Sequence, residues 1–523
     1  MVGDNFLKKR FLKIFFIFLI ILIQLPIISL IYSTLGFELN TILHITENLL
    51  PKYLRNTFYL FIGVSVLISI ISLPLAYLIA RFQFPLRNYF EWAFLIPLAI
   101  PSYIFAYIFY QNKNYFPVLN STLAASIIFT LSLYPYVYLF CKNAFMSIPI
   151  HLEYAAKSLG AKKWNVFFKI HFPIILPYFF SGIILVFMEL LADFGTVDFF
   201  SIDTIATGIF RVWSATGDTS SASFLSLVLF LISLFFLFYD NKLKSKILLL
   251  NNTNNEVKLN KLNGFSGFLA FLYCFTIFFI SFLLPLLYTV YKFYEEGWKH
   301  LNKHFLQISL QTFLLAFSSA LLCTVFSIFI TYLIKINSNK DKLFKIGKLN
   351  AIGYSLPGSL IAIGIVINLA ELDKLLNFIF NNLLNLKDVH VYTLGSFLAL
   401  NLAYLTRFSA ISHNCLSSQL GLINNNFYDA SKTLNQNEFF TFRYIYFPLL
   451  KTSILTSFLI TFVDIVKELP AAMILRPFNF DTLAIEAYNL ASDERFTEAT
   501  PAILFIIATA LIPIIIYIFL QKA

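Results

Sequence analysis

The chain has 523 residues; 59% are hydrophobic, 18% aromatic and only 12% charged, where ordinary soluble domains carry about 25% charge. A water-soluble protein of this size cannot hide so much apolar side chain, so a cytosolic enzyme, a secreted disulfide scaffold and a disordered chain are excluded. The formal net charge of +11 would point to nucleic acid in a soluble protein; here its meaning depends on where the charges fall relative to membrane spans.

The first apolar run, 11–33, follows Lys8, Lys9 and Arg10. It is too long for a signal-peptide core and no small-residue cleavage site follows, so it reads as a retained span. A span needs about 20 mostly apolar residues. In chain order the candidates are 11–34, 57–80, 89–110, 121–145, 174–193 and 221–239, then 264–291, 310–334, 349–370, 391–413, 450–468 and 500–520. Pro74, Pro97, Pro101, Pro135, Pro285 and Pro357 interrupt several of them, which membrane helices tolerate where neighbours satisfy the backbone. Most Lys and Arg fall in alternate connecting segments: the N-terminus, Arg81 and Arg87, 142–169, 242–261, 335–348, 407–451 and Lys522. By the positive-inside rule these segments face the cytoplasm. An even span count preserves the alternation, so the expectation is twelve spans with both termini cytoplasmic. The positive charge is then topology, and nucleic acid drops out as a partner. The cysteines (Cys141, Cys274, Cys323, Cys415) lack any short spacing, which argues against a thiolate metal cage.

The two sets of six spans are related. Asn56-Thr57-Phe58 recurs as Gln311-Thr312-Phe313, and Tyr77-Leu78-Ile79 as Tyr332-Leu333-Ile334, both 255 residues later. Further on the offset is 275: Tyr154-Ala155-Ala156-Lys157-Ser158-Leu159-Gly160 matches Asp429-Ala430-Ser431-Lys432-Thr433-Leu434-Asn435, and Phe172-Pro173 matches Phe447-Pro448. Glu189 and Asp193 match Asp464 and Glu468. An even number of spans precedes the restart, so the repeat is parallel. The expected organisation is a first repeat over 1–240, a Lys- and Asn-rich cytoplasmic linker over 241–263 and a second repeat over 264–523, with a path at their shared face.

Each half carries one long cytoplasmic loop, about 146–173 and 416–449, with small residues on one face of a short helical stretch. Small side chains let another protein approach the backbone closely. A charged loop lying on lipid headgroups would look similar. The pattern Glu153-Tyr154-Ala155-Ala156-Lys157-Ser158-Leu159-Gly160, followed by Phe172-Pro173 and Leu176-Pro177, resembles the EAA loop of binding-protein-dependent ABC importer permeases of the type I fold. The resemblance implies an all-α polytopic membrane protein built from two such permease domains, about 54–239 and 308–520. It implies a coupling helix in each loop that docks in a groove of an ATPase subunit. Glu153, Ala155, Ala156 and Gly160 hold that place in the first half, and Asp429, Ala430 and Ser431 in the second. The second loop departs from the pattern, with Asn435 for Gly and Lys451-Thr452 for Leu-Pro.

The chain holds no ATPase of its own: GxxxxGK is absent, and Gly347-Lys348 lacks the upstream glycine. Two separate ABC ATPase subunits are therefore expected, binding ATP and Mg, with no cofactor in this chain and a periplasmic binding protein to deliver substrate.

The segments after the fifth and eleventh spans carry the substrate signal. The first includes Asp193, Gly195, Asp198, Asp203-Thr204, Arg211 and Gly217-Asp218; the second includes Lys467-Glu468, Pro470, Arg476-Pro477, Asp481-Thr482 and Asp493-Glu494-Arg495. Both resemble fused permeases of ferric iron importers, a likeness that extends over essentially the whole chain. Fused permeases for thiamine or phosphonates share the architecture. Fe(III) is a hard cation that suits oxygen ligands. Glu189/Asp193 and Asp464/Glu468 are i,i+4 pairs, each on one helix face, and acids at membrane depth mark a pathway or a buried pairing. The pairing alternative sets them against Lys467, Arg476 or Arg211 or at helix ends, with Asp203 and Asp481 as turn or N-cap residues. From another class, an ion-gradient-driven secondary transporter also explains twelve spans, though not the matched loops. An inner-membrane importer permease for ferric iron is the reading that uses every feature.

Overall fold

In the computed structural model of the chain, the described residues are 18, 20, 21, 23–33, 43–112, 120–250, 259–336, 353, 356–383, 392–423, 426–434 and 436–522. Helices account for nearly all of them. In chain order, α1 is Ile23–Ser33 and α2 is Ile45–Arg81; α3 (Arg87–Ala99, its last turn 3-10) and α4 (Ser102–Gln111) follow, then α5 (Ser121–Ser147). The first loop holds α6 (Ile150–Ser158), and α7 (Trp164–Ala192) leads into two short helices, α8 (Gly195–Phe199) and α9 (Ile205–Thr216), before α10 (Thr219–Leu250). The second half continues with α11 (Phe265–Glu295), α12 (Lys303–Ile336), α13 (Gly358–Phe378) and α14 (Phe397–Leu422). Its loop holds α15 (Asn426–Thr433), followed by α16 (Phe439–Val466), short α17 (Pro470–Leu475) and α18 (Leu483–Ser492), and α19 (Phe496–Lys522).

Among the described residues, eight helices are long and apolar enough to cross a membrane, or nine if α3 and α4 count as one broken span. Helices α1, α13 and α14 occupy the other three expected spans; 11–17 and 349–352 lie outside the described residues. The lipid-facing sides are plain. Ile62, Val66 and Ile70 on α2, and Leu310, Phe313 and Phe317 on α12, are exposed apolar residues at helical spacing, a surface that only hydrocarbon solvates without cost.

Two expectations are corrected. The span expected at 89–110 is not one helix: α3 and α4 meet at 83°. The break falls at Ile100-Pro101, where Ile100 is extended and proline cannot donate to the preceding turn. The segment read as linker from 241 begins as helix, because α10 continues to Leu250. Residues 259–262 then pair with the end of α2, where β2 (Asn260–Lys261) lies parallel to β1 (Phe82–Gln83) and Leu262 N–H donates to Gln83 O at 2.9 Å.

Packing follows the same order in both halves. α5 packs on both α2 and α7, as α14 packs on both α12 and α16, though in the second half α12 and α16 also pack directly on each other. The contacts match in detail. Ser72 Oγ donates to Tyr134 O at 3.0 Å, and 255 and 275 residues later Ser327 Oγ donates to Ser409 O at 3.1 Å. Small and polar residues draw the helices together, as they do in membranes where apolar packing has no preference over lipid. The leading helix of each half rests on the other half. Tyr273 of α11 donates to Ile71 O at 3.4 Å, while Ser29 of α1 donates to Gly364 O at 3.1 Å and Thr406 of α14 to Ile23 O at 3.3 Å. One apolar core spans both halves, from Ile104 and Leu225 to Leu360 and Ile503.

Gly364 lies so close to Pro26 that a Cβ there would fall on its carbonyl oxygen. Gly364→Leu should therefore push α1 off α13 and lower stability by about 1–3 kcal/mol, read as a drop in the thermal midpoint of the detergent-purified chain. An unchanged midpoint would show that α1 is not held there.

Candidate functional site

The broken helices define the site. α4 begins at Pro101-Ser102 and α13 at Pro357-Gly358. Each start presents unbonded backbone N–H groups at membrane depth, and so do the starts of α8 and α17. Two of the four acids expected in the path meet these ends. Asp193 accepts from Thr196 N at 2.8 Å, from Thr196 Oγ1 at 3.1 Å and from Ser102 Oγ at 2.5 Å. Glu468, its repeat partner, accepts from Ala471 N at 3.2 Å and Ala472 N at 3.3 Å, with the start of α13 at Gly358 against the same carboxylate. Each acid therefore sits where two helices start. Carboxylate-to-N–H bonds at a helix start are charge-assisted and complement the dipole.

All four acids line one cavity of about 130 Å³, with Pro101, Ser102, Tyr103 and Ser132 of the first half and Arg407, Phe408, Lys467 and Pro470 of the second. Glu468 is paired with Arg407 at 2.5 Å, both side chains almost buried. Asp464 is paired with Lys467 at 2.7 Å. The bases come from one half only; Ser132 and Ala192 stand at the repeat positions of Arg407 and Lys467. Four carboxylates face two cations, and no Cys or His lines the cavity. Among the described residues no group of three or more His, Cys, Asp or Glu is set to hold a metal, so the acids surround a space and do not form a cage. A larger, mostly apolar pocket of about 580 Å³ adjoins it, sharing Leu98, Tyr136, Asp464 and Lys467 and lined by α14, α16 and α19.

The pairing alternative thus holds for Asp193, Asp464 and Glu468, with Arg407 as a partner that the sequence reading did not name. Arg407, counted there among cytoplasmic charges, is at the cavity; a basic residue inside an expected span was the signal. Arg476 and Arg211 are elsewhere. Arg476 pairs with Asp481, and Arg211 with Asp203 and with Asp198 at 3.0 Å. Nor are Asp203 and Asp481 the N-caps: Thr204 and Thr482 are, accepting from Thr207 N and Ile485 N at 3.4 Å. Asp203 also binds Lys52 at 2.5 Å. Burial raises the proton affinity of Asp203, but hydrogen bonds and charge from Lys52 and Arg211 outweigh it and hold its carboxyl below the ordinary value.

The loops lie at the other end of α2. In the first, α6 ends in a Schellman turn: Ala161 N–H reaches Ala156 O at 3.0 Å and Gly160 takes φ +80°, a conformation glycine adopts freely. Ala155 and Gly160 are exposed and Ala156 is half-buried. Glu153 is turned inward: its carboxylate meets Arg81 at 3.2 Å and His171 Nε2 at 3.0 Å, tying the loop to the ends of α2 and α7. In the second loop Ala430 is exposed, Ser431 is buried against Thr441, and Gln436 N–H reaches Ser431 O at 3.1 Å. The Asp429 side chain and Asn435 lie outside the described residues. Sequence spacing missed the Arg81–Glu153–His171 cluster, whose members lie far apart in the chain.

A bundle of long apolar helices around a central cavity, with a short helix in each loop, is the architecture of a polytopic membrane permease. Residues 72–242 match the family described as binding-protein-dependent transport system inner membrane component. The chain is similar to the Fe(3+)-transport system permease protein FbpB 2 of Haemophilus influenzae, 23% identical over 89% of each chain. It also resembles the molybdate/tungstate transport system permease protein WtpB of Methanocaldococcus jannaschii, 27% identical over 36% of this chain and 76% of that one. A third relative is the molybdenum transport system permease protein ModB of Escherichia coli (strain K12), 28% identical over 32% of this chain and 82% of that one.

Two outcomes follow from these geometries. Arg407→Ala leaves Glu468 buried and unpaired and should lower stability by about 3–5 kcal/mol, with Arg407→Ala/Glu468→Gln recovering much of it; thermal unfolding in detergent measures both. A carboxyl held below its ordinary value contributes stability that is present above the ordinary range and lost as pH falls through the folded value. The midpoint difference between wild type and Asp203→Asn should therefore be largest near neutral pH and shrink below about pH 4.

Proposed function

We propose that the chain is the translocating subunit of an ATP-driven importer of ferric iron. The observation that carries this reading is the meeting of four repeat-related carboxylates at one cavity that offers no sulfur or imidazole donor. Hard oxygen donors suit a hard trivalent cation, and carboxylates outnumber bases there. The relative matched over nearly the whole chain is named for Fe(3+) transport.

The architecture is twelve spans in two parallel repeats: the eight long helices, the broken α3–α4 pair, and α1, α13 and α14. The matching Ser72–Tyr134 and Ser327–Ser409 bonds support it. Lys and Arg distribution puts both termini and both loops in the cytoplasm. A periplasmic binding protein delivers iron to the opposite face. Two ATPase subunits, which bind ATP and Mg, grip α6 and α15 through Ala155, Ala156, Gly160, Asp429 and Ala430, while Ser431, expected to join them, is buried against Thr441 and braces α15 from within. Glu153 acts from behind, holding α6 to α2 so that movement of the loop moves the spans. Closure of the ATPases draws the loops together and turns the cavity outward; hydrolysis resets it.

A second reading, an oxyanion permease, is favoured by Arg407, Lys467 and the helix starts facing the same cavity, since N–H ends attract anions. Partial-length relatives are named for molybdate. The complex of this chain with its ATPase and binding protein, reconstituted in vesicles, decides between them. Ferric iron should stimulate ATP hydrolysis and be taken up. Stimulation by molybdate and not by ferric iron would overturn the iron reading, and transport by this chain with no other subunit would overturn the importer mechanism.

The first loop has its own test. A Cβ at Gly160 meets open space, so the cost of substitution is the positive φ alone. Gly160→Val should distort the loop, stop uptake and loosen ATPase association, whereas Gly160→Asn, the residue the second half carries at Asn435, should retain most of both. Co-purification and uptake with the two variants measure it.

A further inference from the structure

The cavity has an outer wall whose polar groups neither the helix junctions nor the loops use. Tyr103 lies in the first turn of α4 and lines the cavity. Tyr107 is one turn further along, its ring centre 5.7 Å away. Both are almost wholly buried, at 4% and 1% exposure. Neither hydroxyl has a hydrogen-bond partner among the described residues. Beyond Tyr107 stands Tyr488 of α18, with ring centres 6.4 Å apart, and its hydroxyl donates to Asp198 Oδ2 at 2.6 Å. Asp198 is bound at 3.0 Å by Arg211, which is 45% exposed. Arg211 shares Asp203 with Lys52, at the end of α2 away from Arg81 and the first loop. A file of oxygens therefore runs from Asp193 and Glu468 to the face opposite the loops.

Two phenol hydroxyls buried without partners are a cost that phenylalanine would avoid at equal packing. The positions that match Tyr103 and Tyr107 from Pro357 onward are Ser359, also a buried hydroxyl without a partner among the described residues, and Ile363, so the pair of phenols is a feature of one half.

We propose that Tyr103 and Tyr107 are the outer stage of the path, taking a hard, oxygen-seeking metal cation from the Asp198–Tyr488 pair and passing it to Asp193 and Glu468. The proposal rests on the ferric iron reading. Phenol and carboxylate oxygens are ligands of one class, so the ion exchanges like for like and meets no stretch of bare hydrocarbon. A phenol that binds as phenolate releases its proton to water entering with the ion and regains it when the ion moves on, leaving the charge balanced.

The test uses the complete importer in vesicles with Tyr103→Phe, Tyr107→Phe and the double variant. Both rings stay and no hydrogen bond seen here is lost, so the fold is retained. ATP-dependent uptake of ferric iron should fall on the order of ten-fold in the double variant, while ATP hydrolysis stimulated by the binding protein stays near wild type. Ferric ion added to the purified wild-type chain should give a phenolate-to-iron charge-transfer absorption that the double variant lacks. Unchanged uptake in the double variant, with wild type moving iron, overturns the proposal and leaves the iron reading standing. Loss of stimulated hydrolysis together with uptake overturns it as well, by giving the tyrosines a part in packing alone. A wild-type importer that moves molybdate and no ferric iron removes both the proposal and the reading beneath it.

Discussion

A helix that starts inside a membrane leaves N–H groups where no water can reach them. This chain starts four helices around one central space, and the constraint shapes everything near it. Asp193 and Glu468 supply the missing acceptors, each for the short helix that follows it, and each also lies at the start of a further helix, Asp193 bound by Ser102 of α4 and Glu468 beside Gly358 of α13. The acids need counter-charge, which brings Arg407 into the centre. Prolines set the breaks. A change at any of these groups is felt by the rest, because they share the same carboxylates.

The two halves solve the same problem with different residues. The first pins its half-helix through a serine hydroxyl, Ser102, and the second leaves room with Gly358 beside a buried ion pair. The first loop is anchored by a buried cluster of Arg81, Glu153 and His171, whereas Ile336, Tyr428 and Tyr446 stand at the matching positions of the second. The halves therefore differ where they face the cavity, with bases from the second and phenols from the first.

Periodicity and repeat offsets made much of this legible. The offset of 275 alone puts Glu189, Asp193, Asp464 and Glu468 in equivalent places, and all four line one cavity. Hydropathy saw the apolar run at 89–110 but not its bend of 83°, because composition carries no direction and proline is common in spans that stay straight. Arg407 was hidden by the rule that found the topology: counted by its sign, it joined the cytoplasmic charges. Small-residue spacing located α6 but not its orientation. Glu153 faces inward because Arg81 and His171 wait there, partners that lie far off in sequence.

The crossed leading helices have a bearing on how such a chain came to be one chain. With α1 resting on the second half and α11 reaching back over the first, neither half completes its surface alone. Two separate polypeptides would have to find each other before either could settle in the bilayer. Joining them turns that encounter into a local event, governed by tether length and no longer by dilution. Fusion here serves assembly, and severing the tether would yield two interdependent pieces, each still needing the other's first helix.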